Sequence, residues 1–315
     1  VIRLGALGDI VQMTPIIRLL HEDGYEVDLN IKKYSADVLR NNLYVNNVIV
    51  HDDSIPNEKL DEHWEQLGVG YDKVVNLSES VERGLLAIKG DPAWDMSKEE
   101  RHELMNVNYF DRQLEIAGFN QRGILPELYF STMEMQWARD FRKKHKREFL
   151  VLIALSGSSL HKVYPHMEIV MRAFHEAHPD TRFITVGDVA CQLLEPEAPY
   201  VIPKSDKWSI RKSMLMTKYA DLVISPETGL LNASGCFDTP KIALLSHSSV
   251  ENLTKHFKNC ASLSADIKCY PCHKLHYSMD TCNKERSTDS PACMAKISPA
   301  TVLNAMEDVY IEWRI

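Results

Sequence analysis

Short apolar runs rich in branched side chains alternate along this chain with longer stretches of helical periodicity, and that alternation narrows the fold more than any other feature. Parallel strands buried on both faces read as continuous apolar runs and need crossover connections, which helices supply, so the pattern dictates an α/β class. In the first half the candidate strands are residues 1–4, 27–31, 48–50 and 73–77. A helix over 10–21 places Ile10, Met13, Ile17 and Leu20 on one face. A charged stretch, RDFRKKHKRE over 139–148, precedes the strongly apolar run 149–155, which opens a second series. Strands at 182–186, 221–225 and 241–245 follow, with helices over 165–178, 209–219 and 228–236. Ser298 and Pro299 start a terminal amphipathic helix carrying Val302, Leu303, Met306, Val309 and Tyr310; it packs on its own domain or crosses back to the first.

At 315 residues the chain exceeds the usual size of one hydrophobic core. The expected organisation is an N-terminal Rossmann-like unit over 1–147, a C-terminal one over 148–297 with a cysteine-rich segment at 269–293, and the helix 298–315. The halves share no sequence repeat, so their kinship is one of architecture. Open parallel sheets bind ligands beyond the carboxyl ends of their strands, so two such units present their loops to one cleft.

The formal charge of −8 excludes a general basic face for nucleic acid, and no nucleic-acid partner is expected. There is no stretch of eighteen apolar residues and no secretory pattern, so the expected location is the cytoplasm. The basic run 139–147 reads first as a solvated helix face, with a docking patch for an anionic acceptor or lipid head groups as the alternative.

Two loops carry the chemistry. In RLGALGDIVQMTP, Gly5, Gly8 and Asp9 stand between the first strand and the first helix, where glycine lets backbone approach a ligand. The plain reading is a tight turn with Asp9 as a helix cap. In SPETGLLNASGCFDTPKIALL a strand ends and a helix starts near Thr228. The amides of Thr228, Gly229 and Leu230 then form an anion site, unless the loop is only a Thr-capped buried helix. Between them, LSGSSLHKVYPHMEIV sets Ser156, Ser158 and Ser159 after a strand, where amides and hydroxyls reach a phosphate and Lys162 supplies positive charge.

In order and separation these motifs resemble glycosyltransferase family 9, the heptosyltransferases. Gly8-Asp9 matches the family's Gly-Asp pair; Glu227, Thr228, Gly229, Leu230 and Asn232 stand where that family has an Asp-Thr-Gly-Leu core followed by His; Lys162, Tyr164 and Pro165 match its Lys-aromatic-Pro. The Glu227 and Asn232 departures are polar and lie on the donor side. The resemblance implies a GT-B-like fold, two Rossmann-like domains facing each other across a cleft. It also implies an inverting transfer of a sugar, heptose in first place, from a nucleoside-diphosphate sugar (an ADP-sugar favoured) to a saccharide or protein hydroxyl, as in lipopolysaccharide biosynthesis. Asp9 is then the base and Lys162 the leaving-group clamp, with Gly8, Ser156, Ser158, Ser159, Glu227, Thr228, Gly229, Leu230 and Asn232 binding the donor phosphates. Such an enzyme works in the cytoplasm or at the inner face of the membrane, in peripheral contact with it. The family's acidic pair near the ribose is not clearly matched around Gly187; Asp188 or Glu195 stands as its replacement. No Asp-x-Asp occurs, so no cofactor is expected for catalysis. The alternatives are a non-catalytic sugar-nucleotide-binding or assembly protein and a nucleotide-sugar epimerase.

Four of the seven cysteines, Cys269, Cys272, Cys282 and Cys293, crowd into the segment before the last helix. A close pair and two distant thiolates are the spacing of a structural Zn or Fe knuckle, with His273 and His276 as alternative ligands. Similar segments occur in the heptosyltransferases, some of which bind iron there. Cys191 and Cys236 read as small apolar residues.

Overall fold

The computed structural model describes residues 1–277 and 282–315. The expected α/β class is borne out. One sheet holds β1 (Ile2–Arg3), β2 (Val27–Ile31) and β3 (Val45–Val50) in that order, all parallel. On the other side of β1 the expected strand over 73–77 makes only an isolated parallel bridge, Ile2 to Asn76, with Ile2 N–H on the Val75 carbonyl and Leu77 N–H on the Ile2 carbonyl, both 2.8 Å. Helix α1 (Leu7–Glu22) follows β1 and buries Ile10, Val11, Met13, Ile16, Ile17, Leu19 and Leu20. Further on come α2 (Tyr109–Ile116) and α3 (Thr132–Lys144).

The second sheet is the larger. Its strands are β4 (Phe149–Ala154), β5 (Thr181–Val186), β6 (Val201–Pro203), β7 (Leu222–Pro226), β8 (Lys241–Leu244) and β9 (Cys260–Leu263), ordered β9-β8-β7-β4-β5-β6 and parallel throughout. Every residue of β4 is buried, as expected of a central strand covered on both faces. One face packs α4 (Met167–Ala177) and the terminal helix α7 (Pro299–Arg314), where Val302, Met306 and Tyr310 meet Phe149 and Phe174. The terminal helix thus packs on the second sheet, and Tyr310 Oη and Arg314 both reach Asp180. The opposite face packs α5 (Ile210–Met216) and α3, through Ala138, Trp137, Phe141 and Trp208. Although α3 precedes residue 147, its apolar side thus belongs to the second sheet. From the basic run, Arg142 turns inward to Asp221 at 3.0 Å.

The halves are joined by shared cores. Met214 and Ala233 pack into the cluster around α1, while Val81, Leu85, Tyr109 and Phe110 pack with Leu231, Leu245, Leu253 and Phe257. The strand pair Ala87–Ile88 and Lys274–Leu275 adds a parallel backbone link between them. No helix among the described residues is long and apolar enough to cross a membrane.

Candidate active site

The turn after β1 is built around a buried cation. Arg3, 1% exposed, sends one nitrogen to Asp9 Oδ1 at 2.8 Å and another to Glu82 Oε2 at 2.9 Å. Asp9 Oδ2 reaches back to accept the Ala6 N–H at 2.6 Å, so Asp9 does help to cap α1, from the helix's first turn. A side chain at Gly5 would overlap the Asp9 carboxylate, which explains the glycine. Burial pushes the Asp9 carboxyl up to about 6; Arg3 opposes this and the Glu82 charge adds to it. A carboxylate poised near neutrality is suited to accept a proton.

The second loop meets the first directly. Thr228 caps α6 (Gly229–Ser234), its Oγ1 accepting from Leu230 N–H at 3.2 Å and Leu231 N–H at 3.4 Å, and lies 2.8 Å from Ser225 Oγ. A Cβ on Gly229 would sit 3.3 Å from Gly8 N and from Leu7 Cβ, and one on Gly8 would sit 2.6 Å from Asn232 Nδ2. The two glycine turns, 220 residues apart in register from Gln12 to Asn232, therefore touch. A buried amide chain locks them: Gln113 Nε2 donates to Gln12 Oε1 at 2.9 Å, and Gln12 Nε2 to Asn232 Oδ1 at 3.4 Å.

Lys162 completes the group. It is 7% exposed, its Nζ donating to the Glu227 carbonyl at 2.8 Å and approaching Ser158 Oγ at 3.4 Å. Burial lowers its pKa, while the charges of Glu227 and Asp9 raise it, which puts Asp9 and Lys162 in one electrostatic neighbourhood. Gly157 lies between Lys162 and Thr228, a Cβ there being 2.9 Å from Lys162 Cδ and from Thr228 Cγ2. Ser158 is exposed, Ser159 Oγ pairs with His161 Nδ1 at 2.6 Å, and Ser156 is buried.

Several expected donor ligands are turned inward instead. The Glu227 carboxylate accepts the amides of Ser246 (3.0 Å), His247 (3.1 Å) and Ser248 (2.9 Å) and the Ser246 hydroxyl, so it binds its own loop. Three consecutive amides make an anion nest that fits a carboxylate. The Leu230 side chain is in the core and its amide is taken by Thr228; Asn232 holds α1. No hydrogen bond among the described residues uses the amides of Thr228 or Gly229. Near the expected ribose position, Asp188 caps Ala190 and Cys191 at 3.0 and 3.1 Å, and Glu195 accepts from Thr185 Oγ1 and the Ser205 amide.

The cysteine cluster does not support the metal expectation. Among the described residues no three His, Cys, Asp or Glu side chains converge closely enough to hold an ion. Cys293 is buried in the second sheet's core, Cys272 Sγ lies 3.8 Å from His276 Nε2, and Cys282 Sγ lies 3.8 Å from the Asn283 carbonyl. Burial pushes the Cys272 thiol up to about 12 and raises that of Cys293 as well. His273 pairs with His102 at 2.9 Å. Residues 278–281 of the segment lie outside the described residues.

Sequence reasoning missed Arg3, Glu82, Gln12 and Gln113. Arg3 does leave a signal, a charge inside an otherwise apolar strand directly before the glycine turn; Glu82 leaves none.

Known structures align with the whole of this architecture. A glycosyltransferase family 9 protein from Veillonella parvula DSM 2008 superposes with a TM-score of 0.66 at 15% identity, over 99% of this chain and 96% of that one. E. coli ADP-heptose lipopolysaccharide heptosyltransferase II gives 0.65 at 12%, over 100% and 99%. The chain has the heptosyltransferase fold. An E. coli heptosyltransferase solved with ADP-2-deoxy-2-fluoro heptose gives 0.59 at 14%, over 98% of each chain. The GT-B-like class expected from the motifs is thus borne out. No family model matches the sequence, and a search of the curated proteins finds no match.

Proposed function

We propose that this chain is an inverting glycosyltransferase that moves a sugar from a nucleoside-diphosphate donor to an acceptor hydroxyl. The observation that carries the reading is the contact between the glycine turn that holds Asp9 and the Gly229 turn of the other half, beside which Lys162 is anchored on the Glu227 carbonyl. The acceptor oxygen attacks the anomeric carbon and gives its proton to Asp9. The carbon–oxygen bond to the diphosphate breaks, and the nucleoside diphosphate leaves with the electron pair. Lys162, the Ser158 hydroxyl and the Thr228 and Gly229 amides stabilise the charge that develops on it.

The names of the structural neighbours support an ADP-sugar, heptose above all, as the donor. We favour a saccharide acceptor over a protein, as in lipopolysaccharide assembly, with the enzyme in the cytoplasm or at the inner face of the membrane. The lack of an Asp-x-Asp grip on the diphosphate supports metal-independent catalysis. The N-terminal unit over 1–147 supplies the acceptor side and the base, and the unit over 148–297 the donor side.

The test is release of nucleoside diphosphate from candidate sugar nucleotides, with and without saccharide acceptors. Release that depends on acceptor supports transfer. Donor binding without release fits a binding protein, and donor conversion without acceptor an epimerase; either would overturn the proposal.

A further inference from the structure

We propose that Glu82 is the positioning residue that keeps Asp9 serviceable as a base, by competing with it for the single buried guanidinium of Arg3; this rests on the reading of Asp9 above. A carboxylate paired alone with a buried arginine is held strongly in its anionic form and accepts a proton poorly. Here two carboxylates face one cation. Arg3 Nη1 donates to Glu82 at 2.9 Å, whereas Nη2 lies 2.8 Å from Asp9 as an ion pair without a hydrogen bond, and Arg3 Nε has no hydrogen-bond partner among the described residues. The site carries a net negative charge in a region where both carboxylates are largely shielded, with side-chain exposures of 14% for Asp9 and 25% for Glu82.

The chain fixes Glu82 there by a tight turn. Leu85 and Leu86 N–H donate to the Val81 carbonyl, Arg83 N–H to the Leu86 carbonyl, and Gly84 N–H to the carbonyls of Glu79 and Glu82. A Cβ on Gly84 would overlap the Ser80 carbonyl oxygen, so the turn needs its glycine. This turn follows the segment that bridges to β1, which brings Glu82 alongside Arg3.

The other groups facing Asp9 are Tyr34, whose hydroxyl donates to the Gly5 carbonyl at 3.3 Å, and Lys162. Around Glu82 stand Tyr277 and Arg83, the latter paired with Glu79 and Asp91. Of these, Glu82 is the one anion that shares Asp9's own counter-ion. Burial is the first cause that holds the Asp9 carboxyl up near 6, and the Glu82 charge adds to it.

The experiment is the pH profile of kcat/KM for Glu82→Gln, beside Asp9→Asn and a donor-affinity measurement. Removing the competing charge leaves Arg3 to Asp9 alone. The acid limb is expected to move down by about one pH unit, and the plateau to fall several-fold because the weaker base transfers the proton less well. Donor affinity is expected to stay unchanged. Should Glu82→Gln fail to fold, Glu82→Asp, which draws the carboxylate back by one methylene, is expected to move the limb in the same direction by less. A folded variant with an unmoved limb, while Asp9→Asn is inactive, overturns the role of Glu82 and leaves the base standing. Turnover retained by Asp9→Asn overturns the base itself.

Discussion

Gly157→Ala sets a methyl group into the gap between Lys162 and Thr228. The new carbon would lie 2.9 Å from both Lys162 Cδ and Thr228 Cγ2, whereas carbon atoms settle about 3.5–4.0 Å apart. The shortfall is roughly 0.6–1.1 Å on two sides at once. Neither neighbour can retreat easily. Lys162 Nζ is anchored on the Glu227 carbonyl at 2.8 Å, and Thr228 is tied to Ser225 and to the amides it caps. Overpacking of this kind costs about 1–3 kcal/mol, which lowers Tm by roughly 2–5 °C. The larger effect is expected on rate, because the displaced groups are those proposed above to grip the leaving diphosphate; a misplacement near 1 Å lowers turnover by about 10²-fold. Melting curves read the first quantity and steady-state release of nucleoside diphosphate the second. An alanine variant that melts with the native protein and turns over donor at the native rate would refute the tight contact and the role drawn from it.

Arg211 ties both halves together, donating to the Asp37 carbonyl at 2.8 Å and the Tyr129 carbonyl at 2.7 Å and pairing with Glu134. Arg211→Ala is expected to cost about 3–5 kcal/mol, read by denaturant unfolding, because it strands a carboxylate and several carbonyls. The same pair predicts an acid transition. The Arg211 hydrogen bond holds the Glu134 carboxyl down at about 2, so its stabilisation is complete above the ordinary carboxylate range and is lost as pH falls through about 2; the variant should lack that loss. Asp9 has the opposite sign: with its carboxyl raised to about 6, the native state prefers the protonated form and loses stability as pH rises through that value. Asp9→Asn should therefore raise Tm at pH 8 relative to the native protein, with the gap closing near pH 4.

The second half was legible in the sequence because its elements are local. The short continuous apolar run of β4, with its branched residues, reads as a buried strand, and Ser209, Thr228 and Ser298, identified as helix starts, all cap helices in the structure. Of the stretch from 57 to 116 only the strand segment 73–77 was legible, since what orders the rest lies far away in sequence. Asn252 Nδ2 donates to the carbonyls of Met105 and Val107, Arg101 Nε to that of Cys272, and Ala87 N–H to that of His273. No local periodicity encodes such bonds. At the site, the glycines were readable because turns and close backbone approach demand them. The direction of Glu227 was not, because the nest that turns its carboxylate inward comes from three residues nearly twenty positions later.

The most direct test of the account compares native protein and Asp9→Asn for donor affinity and for acceptor-dependent release of nucleoside diphosphate. Affinity should stay within about twofold while turnover falls by about 10²–10⁴, the usual worth of a general base. A variant that transfers sugar at the native rate would contradict the claim that the two glycine turns meet in order to bring a base to the donor.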